Sequence, residues 1–381
     1  MEADLTQQGS FKRAVRQRAA ATGQRYTQAL ADLEQINRSP FARTRPVRLV
    51  GLGDHLAERY GVAISSVAPI DDDLATRPRG SWPGHYPSTL YVRRPDGPPW
   101  IARVFSSAAD RLDRVQGDAE ILRFLAEQEF PAERLATDDP VSIFETSAVI
   151  ITEVVEGGRP TDVDGRSDDP AVLAELGGLL GRLHAVPASA GAVARDGGAE
   201  QADGGFYVGR PGRDLAAAMG FLAAAEATIA DAGREKFDWL RAQVETADDA
   251  EGLPEALTHS NFHLWSAVGV PGRLTIVGWA GSGRGPRLPA LAWLLRTAAE
   301  GGPHLVHAVL RGYREHVELT EDELDRLPGI LNLRPLWLAC LDLRMTVEAG
   351  GAPTLEGGWL HPSSAAHAER LAAEVAAVLR R

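Results

Sequence analysis

Ala256-Leu257-Thr258-His259-Ser260-Asn261-Phe262-His263-Leu264-Trp265-Ser266-Ala267-Val268, with Val277-Gly278-Trp279 shortly after it, is the stretch on which the reading of this 381-residue chain turns. Polar side chains able to bind or position a ligand alternate here with apolar ones. A loop is expected over this segment. The four-residue separation of His259 and His263 is therefore not the helical spacing of a zinc-binding pair, and no metal site is expected from it.

Upstream of this stretch, from about Val62 to Val155, the pattern favours strands. Leu90–Arg93 and Trp100–Phe105 flank the turn Pro95-Asp96-Gly97 and predict a hairpin. Asp113–Gln128 predicts a helix with Val115, Leu122 and Leu125 on one side, ended by Pro131. Val141–Phe144 and Ala148–Val155 follow as strands. The β-branched run in the second predicts a buried central strand. After Gly157 the period becomes helical. Asp169-Pro170 reads as an N-cap and first turn, ahead of Val172, Leu176, Leu179, Leu180 and Leu183. A helix is expected over Leu215–Asp231, a Gly/Ala-rich loop over Ala188–Gly205, a capping box at Thr320 and Glu323, and a last helix over Ser364–Leu379. Ahead of all this, residues 11–36 predict a helix and 39–46 a linker, with a strand at Val47–Leu52 and a short helix at Asp54–Tyr60. The layout is α+β, with a helical extension (1–61), a small strand-rich lobe (62–156) and a larger, mostly helical lobe (157–381). The cleft between two such lobes is the default ligand site.

The decisive stretch resembles the catalytic loop of the aminoglycoside phosphotransferase and choline kinase family, a two-lobed protein-kinase-like fold. That loop has the form H-G-D-x-x-x-x-N, and a later strand carries I-D-W. The resemblance covers roughly residues 62–345. It implies that His259 is the loop histidine, that Asn261 stands at the catalytic aspartate, and that Ser266 and Gly278 stand at the two metal-binding positions. It places Arg103, in Trp100–Phe105, at the phosphate-contacting basic residue, with Glu120 as its acidic partner. Val149–Gly157, including Glu153 and Val155, matches the strand that holds the adenine edge. Arg182-Leu183-His184 and the segment Gly281–Pro286 with Leu291–Leu295 match further family features. His263, Trp265 and Arg284 then fall at the cleft. Trp265 either plugs it or packs on the helical lobe, and Arg284 and Arg287 face either an anionic ligand or acidic groups of their own chain. Gly80–Gly84 falls near the phosphate-covering turn.

The departures bear on chemistry. Phosphoryl transfer needs a positioned acceptor hydroxyl and metal ions that neutralise charge between phosphates. An asparagine can orient a hydroxyl but cannot take its proton, and losing general-base help costs roughly 10²–10⁴ in rate. Magnesium is usually held by one or two carboxylates plus phosphates. Here the loop and strand positions offer a hydroxyl and no side chain at all. A non-catalytic binding, regulatory or scaffold protein is the first expectation, with no metal site. An ATP-dependent phosphotransferase acting on a small hydroxyl or amine compound such as an antibiotic is the second. It would need acidic residues such as Asp342, Glu153 or Glu156. A peptide-binding component of ribosomal-peptide modification is the third. ATP or GTP is an open cofactor, without clear magnesium dependence, and a small molecule, peptide or protein is the expected occupant of the cleft.

Composition narrows the classes further. The formal net charge of −12 argues against a general nucleic-acid binder, although residues 1–48 carry nine basic and four acidic residues, +5, leaving −17 for the remainder. No apolar run is long enough for a membrane span. The single cysteine, Cys340, lies in an apolar stretch and reads as a buried thiol; a cytoplasmic location is expected. Only two lysines occur, Lys12 and Lys236, so arginine must carry any chemistry that lysine would otherwise serve.

Overall fold

The computed structural model describes residues 51–70, 88–105, 112–161, 166–187, 209–356 and 358–380. The expected helix at 11–36, the linker at 39–46, the turn at 80–84, the loop at 188–205 and most of the strand at 47–52 lie outside them.

The smaller lobe is a five-stranded antiparallel sheet in the order β1-β2-β3-β5-β4. Its strands are β1 (Ser66–Pro69), β2 (Ser88–Arg93), β3 (Trp100–Phe105), β4 (Val141–Phe144) and β5 (Ser147–Glu153). The β2–β3 hairpin falls where the sequence predicts it, and β5 is a buried interior strand, with β3 rather than β5 at the middle of the sheet. Successive residues of β5 explain why it reads as an unbroken apolar run. Val149 and Ile151 join one core with Leu90, Trp100 and Val104, while Ala148 and Ile150 join another with Phe105 and Leu122. A strand covered on both faces has no polar side to show. The second face is covered by α2 (Leu112–Glu127). The first is covered by α1 (Leu52–Tyr60), whose Leu52 and Leu56 are fully buried against it. Helix α1 thus packs as part of the small lobe rather than of an N-terminal extension.

The larger lobe begins with α3 (Pro170–Ala185), where the Asp169 carboxylate accepts from the Ala171 N–H at 2.8 Å, as an N-cap should. Next come α4 (Pro211–Glu226) and α5 (Asp231–Glu245). The single helix expected over 215–231 is therefore replaced by two. Pro211 at the first helical turn starts α4 earlier. Phe237, Leu240 and Val244 give α5 an apolar stripe of its own. Strand β6 (Glu255–Thr258) pairs with β9 (Gly283–Pro286), and β7 (Ala267–Val270) with β8 (Arg273–Ile276). Helices α6 (Leu288–Ala299), α7 (Pro303–Tyr313), α8 (Glu321–Ile330), α9 (Leu333–Glu348) and α10 (Ser363–Leu379) complete the lobe. Thr320 and Glu323 form the expected capping box at α8.

Helices α3 and α7 cross at backbone contact. A Cβ on Gly312 would lie 1.9 Å from the Ala174 carbonyl oxygen, and one on Gly177 would lie 2.1 Å from that of Val309. Against α9, Lys236 is buried with its ammonium donating to the carbonyls of Leu355 (3.0 Å) and Leu360 (2.5 Å), over the Trp239 ring. Cys340 is buried beside it, and burial pushes its thiol up to about 12, so it is unreactive at neutral pH. No helix among the described residues is long and apolar enough to cross a membrane.

Candidate functional site at the lobe junction

Strand β6 delivers the loop that starts at His259, and β8 delivers Gly278. The two come together because the loop, through one side chain and one backbone carbonyl, bonds to the backbone that follows β8. Ser260 Oγ donates to the Ala280 carbonyl at 2.9 Å, and the Val277 N–H donates to the Ser266 carbonyl at 2.7 Å. His259 sits edge-on to the Trp279 ring, 4.8 Å between centroids. Its Nδ1 accepts from the Asn261 N–H at 3.1 Å, which leaves Nε2 to donate to the Val277 carbonyl at 3.2 Å. Burial pushes its pKa down to about 4, so this imidazole is neutral and structural. His263 is held well below its ordinary pKa, again by burial, and its Nδ1 accepts from the Trp265 N–H at 2.9 Å.

At the three substituted positions the chain bonds to itself. The amide oxygen of Asn261 accepts from the guanidinium of Arg334, which reaches in from the first turn of α9. Ser266 Oγ donates to the Asn261 carbonyl. Gly278 has φ +85, a backbone conformation that glycine adopts freely. Its N–H donates to Glu133 Oε1 at 2.8 Å.

Glu133 is the centre of the junction. It is 2% exposed, and its other carboxylate oxygen pairs with Arg103 at 2.7 Å and accepts from Thr152 Oγ1 at 3.1 Å. One side chain therefore ties β3, β5 and the Gly278 segment together. This corrects the expected Arg103–Glu120 pair. Glu120 lies on the exposed face of α2, whereas Glu133 arrives from the segment after that helix, which runs along β8 through the bonds Ile276 N–H to Pro131 O (2.8 Å) and Glu133 N–H to Ile276 O (3.0 Å). Asp118, 4% exposed, makes a parallel link to the Gly281 N–H at 3.2 Å.

The other predicted positions divide. Glu153 ends β5 with an exposed side chain and a backbone N–H bonded to the Arg134 carbonyl at 2.8 Å, and Val155 is half-buried beyond it. Gly269 on β7 then donates to the Gly158 carbonyl at 2.9 Å, which fastens this connector to the larger lobe. Trp265 is half-buried under Arg159, which stacks on its ring at 5.2 Å and donates to its carbonyl. Arg284 faces its own chain, paired with Glu255 at 2.7 Å, and Arg287 makes a two-pronged pair with the buried Glu323 (2.7 and 2.8 Å). Asp342 lies on α9 facing Lys236 and the Gly358 turn, away from the loop. Among the described residues no cluster of three or more His, Cys, Asp or Glu could hold a metal ion.

Three residues that hold the site together were missed in the sequence. Asp118 had a signal: at three past Val115 and four before Leu122 it lies on the apolar face of α2, where a lone carboxylate must find a partner. Glu133 had none, because its segment has no period. Arg334 had none either, standing 73 positions from Asn261.

An antiparallel sheet and a helical lobe that meet at such a loop define a kinase-like protein. The chain belongs to the phosphotransferase enzyme family, whose sequence model matches residues 82–327. Several solved structures share the fold at low identity. One is an amicoumacin kinase, hAmiN, in complex with AMP-PNP, Ca2+ and Ami (15% identity, 88% of this chain and 94% of that one, TM-score 0.52). Another is the GDP complex of an aminoglycoside 2'-phosphotransferase-IIIa mutant (12%, 86% and 97%, 0.52). A third is a spectinomycin phosphotransferase with ADP and spectinomycin (11%, 88% and 99%, 0.52). A sequence search of curated proteins gives no match.

Proposed function

We propose that this chain is a non-catalytic member of its family, a binding or regulatory protein that uses the cleft at the lobe junction without transferring phosphate. The observation that carries this reading is the Arg334–Asn261 contact. The position that needs a proton acceptor holds an amide, and a guanidinium is fixed on its oxygen. Even a carboxylate placed there would be held ionised by that cation and would be a weak base.

The remaining positions support the same reading. The residues present do not fit a family-type magnesium site, because Gly278 lacks a side chain and the Ser266 hydroxyl is donated within the loop.

The test is thermal unfolding with ATP or GTP, with magnesium and with EDTA, beside a phosphoryl-transfer assay against hydroxyl and amine compounds. A ligand at about 100 times its dissociation constant stabilises by about 2.7 kcal/mol, so binding would be visible. The expected result is no transfer and no magnesium-dependent shift. Turnover that requires magnesium would overturn the proposal. Asn261→Asp, Ser266→Asn and Gly278→Asp combined give the converse test. A Cβ at Gly278 meets nothing within 4 Å, so the carboxylate has room, at a cost of roughly 1–2 kcal/mol for the left-handed backbone.

A further inference from the structure

Strand β4 stands at one end of the small lobe's sheet, paired with β5 on one side and with no other strand among the described residues. Hydrogen-bonded pairs alternate along an antiparallel ladder. The Ile151 N–H donates to the Pro140 carbonyl at 3.0 Å, so the register turns the backbone of Ser142 and Phe144 towards β5. The N–H and C=O groups of Val141 and Ile143 therefore point off the open side. Ile143 is 48% exposed, whereas Ser142 and Phe144 are buried. An edge with outward backbone groups and an exposed apolar side chain is a template for a further strand.

Helix α1 shows which segment reaches that edge, because it runs opposite to β4. At its start a Cβ on Gly51 would lie 4.0 Å from the Phe144 ring, in its middle His55 Nε2 meets Ser142 Oγ at 3.1 Å, and near its end Arg59 pairs with Asp139. The chain thus enters α1 beside the last residue of β4. Gly51 has φ +88, a left-handed conformation that turns a chain sharply and that glycine adopts freely. The four residues before it, Val47-Arg48-Leu49-Val50, lie outside the described residues and belong to the strand expected from the sequence. Extended, they span about 13 Å, the length of β4, which also has four residues. A course parallel to β4 leaves Val50 next to Phe144; an antiparallel course would leave it at the Val141 end. Charge agrees with this placement. Asp138 and Asp139 precede β4 and Glu145 follows it, all exposed, while the incoming segment carries Arg45 and Arg48.

We propose that residues 47–50 of the same chain add to β4 as a sixth strand, parallel to it. The strand shields Ile143, satisfies the outward groups of Val141 and Ile143, and roots the basic arm before it at the Val141 end of the edge, beside Asp138 and Asp139. Strand addition of this kind takes its affinity from main-chain hydrogen bonds. The inference is independent of whether the protein transfers phosphate.

Two measurements on the full-length chain test it. In the first, Leu49→Cys is combined with Ile143→Cys and treated with a short bis-maleimide. The two thiols should be joined within one chain, with a yield that does not change on dilution. Cys340, buried and with its thiol pushed up to about 12, does not compete. Leu49→Cys with Val270→Cys, an exposed position on the β7–β8 hairpin, should give little cross-link. In the second, amide exchange of Val141 and Ile143 is compared between the unaltered protein and Arg48→Pro with Leu49→Pro, which together remove whichever of the two neighbouring N–H groups faces β4. Exchange at both amides should speed up by about tenfold or more, with Val149 and Ile151 in β5 unchanged. If the proline variant fails to fold, the cross-link still decides. Three results would overturn the inference: cross-links between chains whose yield falls on dilution, which would assign the edge to a second copy; equal cross-linking of the Leu49–Val270 pair; or no cross-link and unchanged exchange.

Discussion

Replacing Glu133 with glutamine should be among the most damaging single changes at the lobe junction. The substitution keeps the shape of the side chain and removes its charge. Arg103, whose side chain is 11% exposed, is then left as a buried cation without its counter-ion, and Thr152 and the Gly278 N–H lose a charged acceptor. Removing one partner of a buried ion pair costs about 3–5 kcal/mol. That is a large share of the roughly 5–15 kcal/mol that holds a typical domain folded. Urea unfolding followed by circular dichroism measures it directly. Glu120→Gln is the control, since an exposed residue of α2 should change stability by no more than about 0.5 kcal/mol. Replacing both partners, with Arg103→Met and Glu133→Leu together, should recover much of the loss, because an apolar pair carries no desolvation penalty. The reasoning fails if Glu133→Gln costs less than about 1 kcal/mol, or if Glu120→Gln costs as much.

Two further outcomes follow from packing and protonation. His259 and His184 are buried and neutral, with pKa values pushed down to about 4 and about 3, so the unfolded chain takes up protons near pH 6.5 that the folded chain refuses. Their stability is fully present above that pH and is lost as pH falls towards the folded values, by about 2 kcal/mol each between pH 7 and 5. Unfolding curves at the two pH values check this; buried His263 adds to the same trend, so His184→Gln should remove only its own share of about 2 kcal/mol, and equal stability at both pH values would refute the reasoning. At the α3–α7 crossing, Gly312→Ala should destabilise by about 1–3 kcal/mol or more through overpacking. Gly178→Ala, whose Cβ would meet only ordinary contacts at 3.8 Å, should be neutral or slightly stabilising, as thermal unfolding would show.

The fold was largely legible in the sequence because local chemistry and packing agree there. The β2–β3 turn, the Asp169-Pro170 start of α3 and the Thr320–Glu323 capping box each use a short-range signal that the structure repeats. The order of motifs from Trp100 to Trp279 carried the two-lobed arrangement. His259, Asn261 and Ser266 bond to one another, and His259 reaches the Val277 carbonyl beside Gly278. Their partners were not legible. Arg103 could be placed on its strand, but its counter-charge comes from an aperiodic segment after α2, whereas the resemblance pointed to Glu120 on the helix itself. Arg334 reaches Asn261 only through the packing of α9, a relation between distant segments that no local pattern encodes.

The scarcity of lysine has a practical consequence. The sequence holds only two lysines, and the Lys236 ammonium is buried against two carbonyls. Labelling at Lys236 therefore requires the segment that carries Leu355 and Leu360 to move off α5. Mass-spectrometric readout of that one amine would serve as an internal clock for opening of the larger lobe, with no probe added to the protein.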